Sequence, residues 1–218
     1  MSGTIEHLDA LLFIQHLEKH NIGSDTDYVL SRLKMIGAAS VLDVGFGRGD
    51  LLHKMSNTKQ FKLLVGIEKS TALFENAKKT FYDLDIETIH GDFLEYEFSQ
   101  KFDVVVMSFY LHHLDDYKKH LKKAVTLLNT EGVMVIVDRI ARDEHAKEKF
   151  RVYWNEYYRE QHEWHEDCPT ILTLEEIVDE ITAYNLEIKF IMHLPNDNRK
   201  GVGNFPKTLV EISKRGGE

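Results

Sequence analysis

The chain carries a single cysteine, Cys168, in 218 residues. With no second thiol it cannot close an internal disulfide, which fits a reducing, cytoplasmic setting. No apolar run approaches the roughly 18 uncharged residues that a spanning helix requires, so no membrane span is expected. The N-terminus lacks a basic stretch followed by a short apolar core, so no secretory leader is expected. Prolines number three, and neither a low-complexity tract nor a repeat of solenoid period is present. Basic residues are in deficit: 27 Lys and Arg stand against 36 Asp and Glu, a net charge of −9. That balance argues against a broad nucleic-acid-binding face, and nucleic acid is not expected among the partners.

What is present is an ordinary globular balance, 43% apolar and 29% charged. The length suits one full-sized domain with a real core. One stretch organises the rest: Val41-Leu42-Asp43-Val44-Gly45-Phe46-Gly47-Arg48-Gly49-Asp50. Val41, Leu42 and Val44 have the length and β-branching of a buried strand. Glycines at every second position then allow a tight bend and a close approach of backbone to ligand. Leu51 and Leu52 open a helix whose first N–H groups face the same space.

The pattern repeats along the chain. Buried strands are predicted at 63–68, 86–90, 102–108 and 133–138, with helices from Ser70 or Thr71 and over 117–128, and a loop over Asn129–Gly132. Strands that are apolar on both faces and alternate with helices predict an α/β fold built on a doubly wound, mostly parallel sheet. Residues 186–194 and 208–213 read as two further strands with no helix between them. They must pair antiparallel, which completes a seven-stranded sheet with a final hairpin. Ahead of the first strand, residues 4–20 and a helix capped by Ser24 or Asp25 form an N-terminal helical extension, a cover for the core or a lid. Residues 1–36 are thus the extension, 38–140 the nucleotide-type core, 141–170 an aromatic insertion and 171–218 the final helix and hairpin of a single domain.

Ligands in such sheets bind at the strand C-ends, near the reversal of strand order. The predicted strands end there in Gly45, Glu68, Asp92, Ser108 and Asp138. Glu68 follows Gly45 by 23 residues, a spacing at which an acid accepts both hydroxyls of a ribose. Asp92 suits an adenine amino group, or is a turn residue after Gly91. The spacing Gly45, Gly47, Gly49 differs from the G-x-G-x-x-G of dinucleotide enzymes.

Taken together, Asp43-Val-Gly-Phe-Gly-Arg-Gly, Glu68, Gly91-Asp92-Phe93 and Phe102-Asp103-Val104 through Leu111-His112-His113-Leu114 resemble the successive motifs of class I S-adenosylmethionine-dependent methyltransferases. The resemblance covers about residues 38 to 140 and implies a Rossmann-like sheet. It implies that Asp43 and the turn of Gly45, Phe46, Gly47 and Gly49 hold the methionine part. Glu68, with Lys69 beside it, would hold the ribose, Asp92 and Phe93 the adenine, and Ser108 with Phe109 would line the sulfonium pocket. Phe46 is bulkier than the small residue common at its position. Ser108-Phe109-Tyr110 lacks the Asn-Pro-Pro-Tyr and Pro-Cys signatures of nucleobase methylation. Leu111–Leu114 resembles the small-molecule branch, that of ubiquinone and menaquinone methyltransferases, so the expected acceptor is a small molecule.

Methyl transfer is an in-line displacement in which alignment and exclusion of water do most of the work. If the nucleophile must lose a proton, His112 and His113 are the candidate bases. Tyr110, Arg139, Arg142, Tyr153 and Tyr157 are candidate substrate contacts: the arginines for an anionic group, or in surface ion pairs, and the aromatics as a cap, as core or as a homodimer contact. His162, His165 and Cys168 are metal-ligand types without a fourth partner, and no metal is expected. An NAD-type oxidoreductase and a non-catalytic nucleoside-binding protein are the alternative readings.

Overall fold

Strands without a polar face persist only if both faces are covered, and the chain supplies a helix after nearly every strand. The computed structural model describes residues 25–159, 170–195 and 207–215. The elements follow as α1 (Thr26–Ile36), β1 (Ser40–Val44), α2 (Asp50–Ser56), β2 (Leu63–Glu68), α3 (Thr71–Thr80), β3 (Glu87–His90) and β4 (Phe102–Ser108). After a 3-10 turn (Leu111–His113) come α4 (Tyr117–Thr126), β5 (Leu128–Ala141), α5 (Glu144–Arg159), β6 (Leu172–Thr173), α6 (Leu174–Thr182), β7 (Leu186–Leu194) and β8 (Lys207–Lys214).

Local chemistry sets the helix starts. Ser70 and Asp116 accept main-chain N–H groups of the first turns of α3 and α4. Thr173 and Glu176 form a reciprocal capping box at α6. Asp25 precedes α1 but does not cap it. Its carboxylate instead takes both bonds from Lys207 Nζ, at 2.9 and 2.7 Å.

The strands lie in the order β3-β2-β1-β4-β5-β8-β7. β1 to β5 pair in parallel, whereas β8 is antiparallel to both β5 and β7. Alternate residues feed two cores. Leu42, Val44, Val65, Ile67, Val105 and Met107 meet Leu121 and Ala124 of α4 and Ile177 and Ile181 of α6. Val41, Leu64, Val104, Val106 and Val135 meet α1, α2 and α3 through Val29, Leu33, Leu52, Met55 and Phe74. Strand order reverses between β1 and β4, where Val44 is level with Met107 and with Ile67 of β2. The crevice above that row is the ligand position for this class of sheet.

Three expectations need correction. Among the described residues the sheet has eight strands, because the two-residue β6 pairs with Ile140 and Ala141 off the main path. β5 starts at Leu128, so Asn129–Gly132 falls within the strand, as the residues of a register shift between the pairs Phe102–Leu128 and Val104–Val133. β5 also continues past Asp138, which puts Arg139 inside the sheet, level with Lys207. The helix expected over residues 4–20 lies outside the described residues. α1 buries Val29 and Leu33, so it covers the sheet.

The Asp25–Lys207 pair is only 2% exposed on each side chain and ties the start of α1 to β8. Removing one member strands the other charge in a dry setting. Lys207→Met is therefore expected to cost about 3–5 kcal/mol in urea unfolding, and adding Asp25→Leu to recover most of it. A loss below about 1 kcal/mol for the single variant would show that the pair is solvated, as an exposed one is.

Candidate active site

The turn after β1 is shaped by what its glycines must clear. Gly45 has φ 69°, and a Cβ on it would stand 2.4 Å from Tyr110 Cδ2. Gly49 has φ 79°, and a Cβ there would meet the Phe81 ring at 2.0 Å. No other residue type fits either place. The turn is pinned by the Gly45 N–H on Ile67 O at 2.8 Å and the Gly49 N–H on Phe46 O at 2.9 Å. The Phe46 ring leaves the turn and packs against Phe74 and Phe81, so this bulky residue offers the crevice backbone only.

Acids surround this backbone. Glu68 Oε2 accepts the Gly47 N–H at 2.9 Å, and Oε1 accepts the Ser70 N–H at 2.7 Å, so one carboxylate joins the ends of β1 and β2. Burial pushes the Glu68 carboxyl up more than those N–H groups lower it. Asp43 is 2% exposed, and burial, then the charge of Glu68, push its carboxyl up to about 7. Asp92 Oδ1 accepts the Leu94 N–H at 2.8 Å, and Oδ2 receives Lys69 Nζ at 2.7 Å. Burial pushes Asp92 up, but these two donors together hold it below the usual carboxylate range. The Phe93 side chain turns into the core and stacks on His120, with ring centroids 6.0 Å apart. His120 was not singled out from sequence. It is buried under Tyr110, burial lowers its pKa, and its Nδ1 lies 3.1 Å from Asp116 O.

The chain creases at the end of β4. Phe109 has φ 51°, a left-handed conformation that side chains other than glycine rarely adopt, and its N–H reaches Val137 O at 2.6 Å. The crease sends Phe109 to the α1–α3 side and Tyr110 to the other, across Gly45. Burial, then the charges of Asp92 and Glu68, raise the Tyr110 phenol above its ordinary value. Ser108 precedes the crease, level with Val137 of β5.

Beyond it, His112 Nδ1 lies 2.7 Å from Asp138 Oδ1. Asp138 also accepts the His112 main-chain N–H at 3.3 Å and the Arg139 N–H at 2.8 Å. Burial pushes Asp138 up, yet the charge and hydrogen bond of His112, with the Arg139 N–H and the charge of His113, together outweigh it and hold the carboxyl below its ordinary value. The His113 ring sits 3.9 Å from that of His112, and its charge is felt at Glu68. Sequence reading found both histidines and placed Asp138 at the rim, but a pairing between residues 26 positions apart has no local signal.

The remaining candidates scatter. Arg139 is buried, with its guanidinium 5.8 Å from the Phe150 ring centroid. Arg142 is 85% exposed and pairs with Asp143 at 2.9 Å, the surface ion pair that was its alternative reading. Phe150 and Trp154 are core residues with Ala141 and Ile171, and Tyr153 packs half-buried against them. The Tyr157 side chain, Trp164, His162, His165 and Cys168 lie outside the described residues. Among the described residues no cluster of three or more His, Cys, Asp or Glu has the arrangement to hold a metal. No described helix is long and apolar enough to cross a membrane.

Residues 41–132 match a family model described as a methyltransferase domain. A methyltransferase of Oceanobacillus iheyensis, itself uncharacterized, is 32% identical over 125 residues, 56% of this chain and 57% of that protein. The chain spans about half the length of the curated relatives it matches. Among solved structures, the YcgJ protein of Bacillus subtilis superposes with a TM-score of 0.69 at 15% identity, over 88% of this chain and 99% of that one. The N-methyltransferase NodS of Bradyrhizobium japonicum, solved with S-adenosylhomocysteine, gives 0.63 at 15% identity over 97% and 100%. At such identities these two show a shared fold.

The raised Asp43 carboxyl has a measurable consequence. Folding tightens its hold on a proton, from 3.8 to about 7. Its contribution to stability is therefore present below pH 4 and is lost as pH rises through 7, by at most about 1.4 kcal/mol per pH unit. In urea unfolding, Asp43→Asn should gain on the wild type steadily between pH 4 and 7. A difference that does not vary with pH would contradict this.

Proposed function

We propose, on the premise that residues 41–132 form a methyltransferase domain, that this protein moves a methyl group from S-adenosylmethionine to a small-molecule acceptor by in-line displacement. The carrying observation is the set of acids, Asp43, Glu68 and Asp92, around a turn in which Gly45, Gly47 and Gly49 carry no Cβ. The donor fits that set. It brings an ammonium and a sulfonium, and a buried carboxyl raised to about 7 beside a second acid gains most from a cation.

In this reading Asp43 takes the ammonium, and Gly45 to Gly49, with the backbone of Phe46, carry the methionine part. Glu68 keeps its Gly47 bond and uses its remaining lone pairs for the ribose hydroxyls, with Lys69 alongside. Asp92 and the backbone of Phe93 border the adenine, and Ser108 and Phe109 border the sulfonium. A bound donor must share space with Tyr110, whose ring rests on Gly45. Tyr110, Arg139 and Tyr153 are the proposed acceptor contacts, and His112 or His113 the base if one is used. That NodS holds S-adenosylhomocysteine on this fold supports the donor assignment. The two-residue glycine spacing and the family match weigh against the dehydrogenase reading.

Titration calorimetry tests the donor half without an acceptor. S-Adenosylhomocysteine should bind in the micromolar range, and Glu68→Ala should weaken it about tenfold or more through the lost ribose bonds. Absence of binding by either S-adenosyl compound at high micromolar concentration would overturn the reading. Unchanged affinity in Glu68→Ala would overturn the ribose assignment.

A further inference from the structure

One buried side chain beside the donor crevice has no part in the reading above. His120, on α4, is 8% exposed. Its ring stacks on Phe93 at a centroid separation of 6.0 Å, and the Tyr110 ring stands edge-on to it at 5.6 Å. Tyr110 is also the residue that rests on Gly45, and its phenol feels the charges of Asp92 and Glu68. One ring thus meets both the glycine turn and His120, which puts His120 behind the nucleoside end of the crevice. The electrostatics agree: the charge of Asp92 is felt at the imidazole, and that of the imidazole at Asp92.

The two imidazole nitrogens differ in what they hold. A main-chain carbonyl can only accept, so the hydrogen in the 3.1 Å contact with Asp116 O is on Nδ1. Burial lowers the imidazole pKa and keeps the ring neutral at pH 7, so a lone pair sits on Nε2. Among the described residues His120 makes no second side-chain hydrogen bond, and no buried side-chain nitrogen or oxygen lacks a partner. Nε2 therefore opens onto space that water can reach. Asp92, by contrast, already receives the Leu94 N–H on Oδ1 and Lys69 Nζ on Oδ2.

We infer that His120 is a second acceptor for the base of the donor, with Nε2 taking one hydrogen of the 6-amino group and Asp92 the other. The inference rests on the methyl-transfer reading above and deepens it. An amino group on an aromatic ring presents two hydrogens in one plane, and a carboxylate and a neutral imidazole supply an acceptor for each. A 6-oxo purine would instead turn an oxygen lone pair toward Nε2, and neither group could donate. The tautomer likewise excludes a bond from Nε2 to a ring nitrogen that carries a lone pair. A donor that lifts Tyr110 off Gly45 also lifts the ring that stands against His120. His120 touches no reacting atom in this account; it determines which nucleoside is held.

Titration calorimetry at pH 7.5 compares S-adenosylhomocysteine with its 6-deamino analogue, which carries purine in place of adenine. The proteins are the wild type, His120→Phe and His120→Gln, with thermal melts to establish that the variants fold. The wild type should prefer the ligand with the amino group. His120→Phe keeps a ring against Phe93 but has no lone pair. It should weaken S-adenosylhomocysteine about three- to tenfold and leave the analogue within about twofold. His120→Gln, whose side-chain carbonyl accepts, should recover part of that loss. In wild type carrying isotope-labelled histidine, the His120 Nε2 resonance should move upfield with S-adenosylhomocysteine and not with the analogue. Equal losses for both ligands in His120→Phe, no loss for S-adenosylhomocysteine, or a wild type that binds the two alike would each overturn the inference. So would an Nε2 resonance that S-adenosylhomocysteine leaves in place, a result that needs no folded variant. A wild type that binds neither ligand would instead refute the methyl-transfer reading itself.

Discussion

The Glu68 carboxylate is the tie on which the site depends. Through its two oxygens it holds the Gly47 and Ser70 N–H groups, and so fastens the turn after β1 to the start of α3. A carboxylate is costly to bury, and this one lies close enough to Asp43 to raise it further. A fold selected for stability alone has little reason to place two acids there. The same strain is what makes the crevice receptive to a cation, so the electrostatic cost and the proposed donor site are one feature.

The second constraint is the crease at Phe109. A left-handed phenylalanine costs of order 1–3 kcal/mol. It turns consecutive aromatic residues to opposite sides of the sheet and lets the chain re-enter at His112 beside Asp138. The rim is thereby divided. β1, β2 and β3 carry the acids proposed for the donor, and the 3-10 turn after β4 carries His112 and His113. The pair Asp25–Lys207 lies at the same end of the sheet, since Lys207 is level with Arg139.

Much of this was legible in the sequence, because its signals are local. β-Branched runs bounded by glycine and polar residues marked β1, β2 and β4, and Ser70 marked the start of α3, which it caps. Gly45, Glu68 and Asp92 were readable as one rim because a parallel sheet brings successive strand ends together, whereas the role of Asp43 came with the family resemblance. Features set by distant partners were not. Asp25 gives its carboxylate to a lysine 182 positions away, Arg139 is drawn into a strand that β8 extends, and the rings of Phe46 and Phe93 face the core. The aromatic segment contained the same ambiguity, and packing assigned Phe150 and Trp154 to a core of their own. His112 and Asp138 were each visible alone, and only the β4–β5 pairing makes them a unit.

The central claim is that the acids around the glycine turn form a nucleoside and ammonium site for S-adenosylmethionine. The most direct test is a crystal structure of the protein with S-adenosylhomocysteine. The ribose hydroxyls should lie on Glu68, the amino group on Asp43 and the methionine part over Gly45 to Gly49, with Tyr110 displaced from its present seat. A nucleoside bound away from Glu68, or an Asp43 with no cationic group beside it, would contradict the claim.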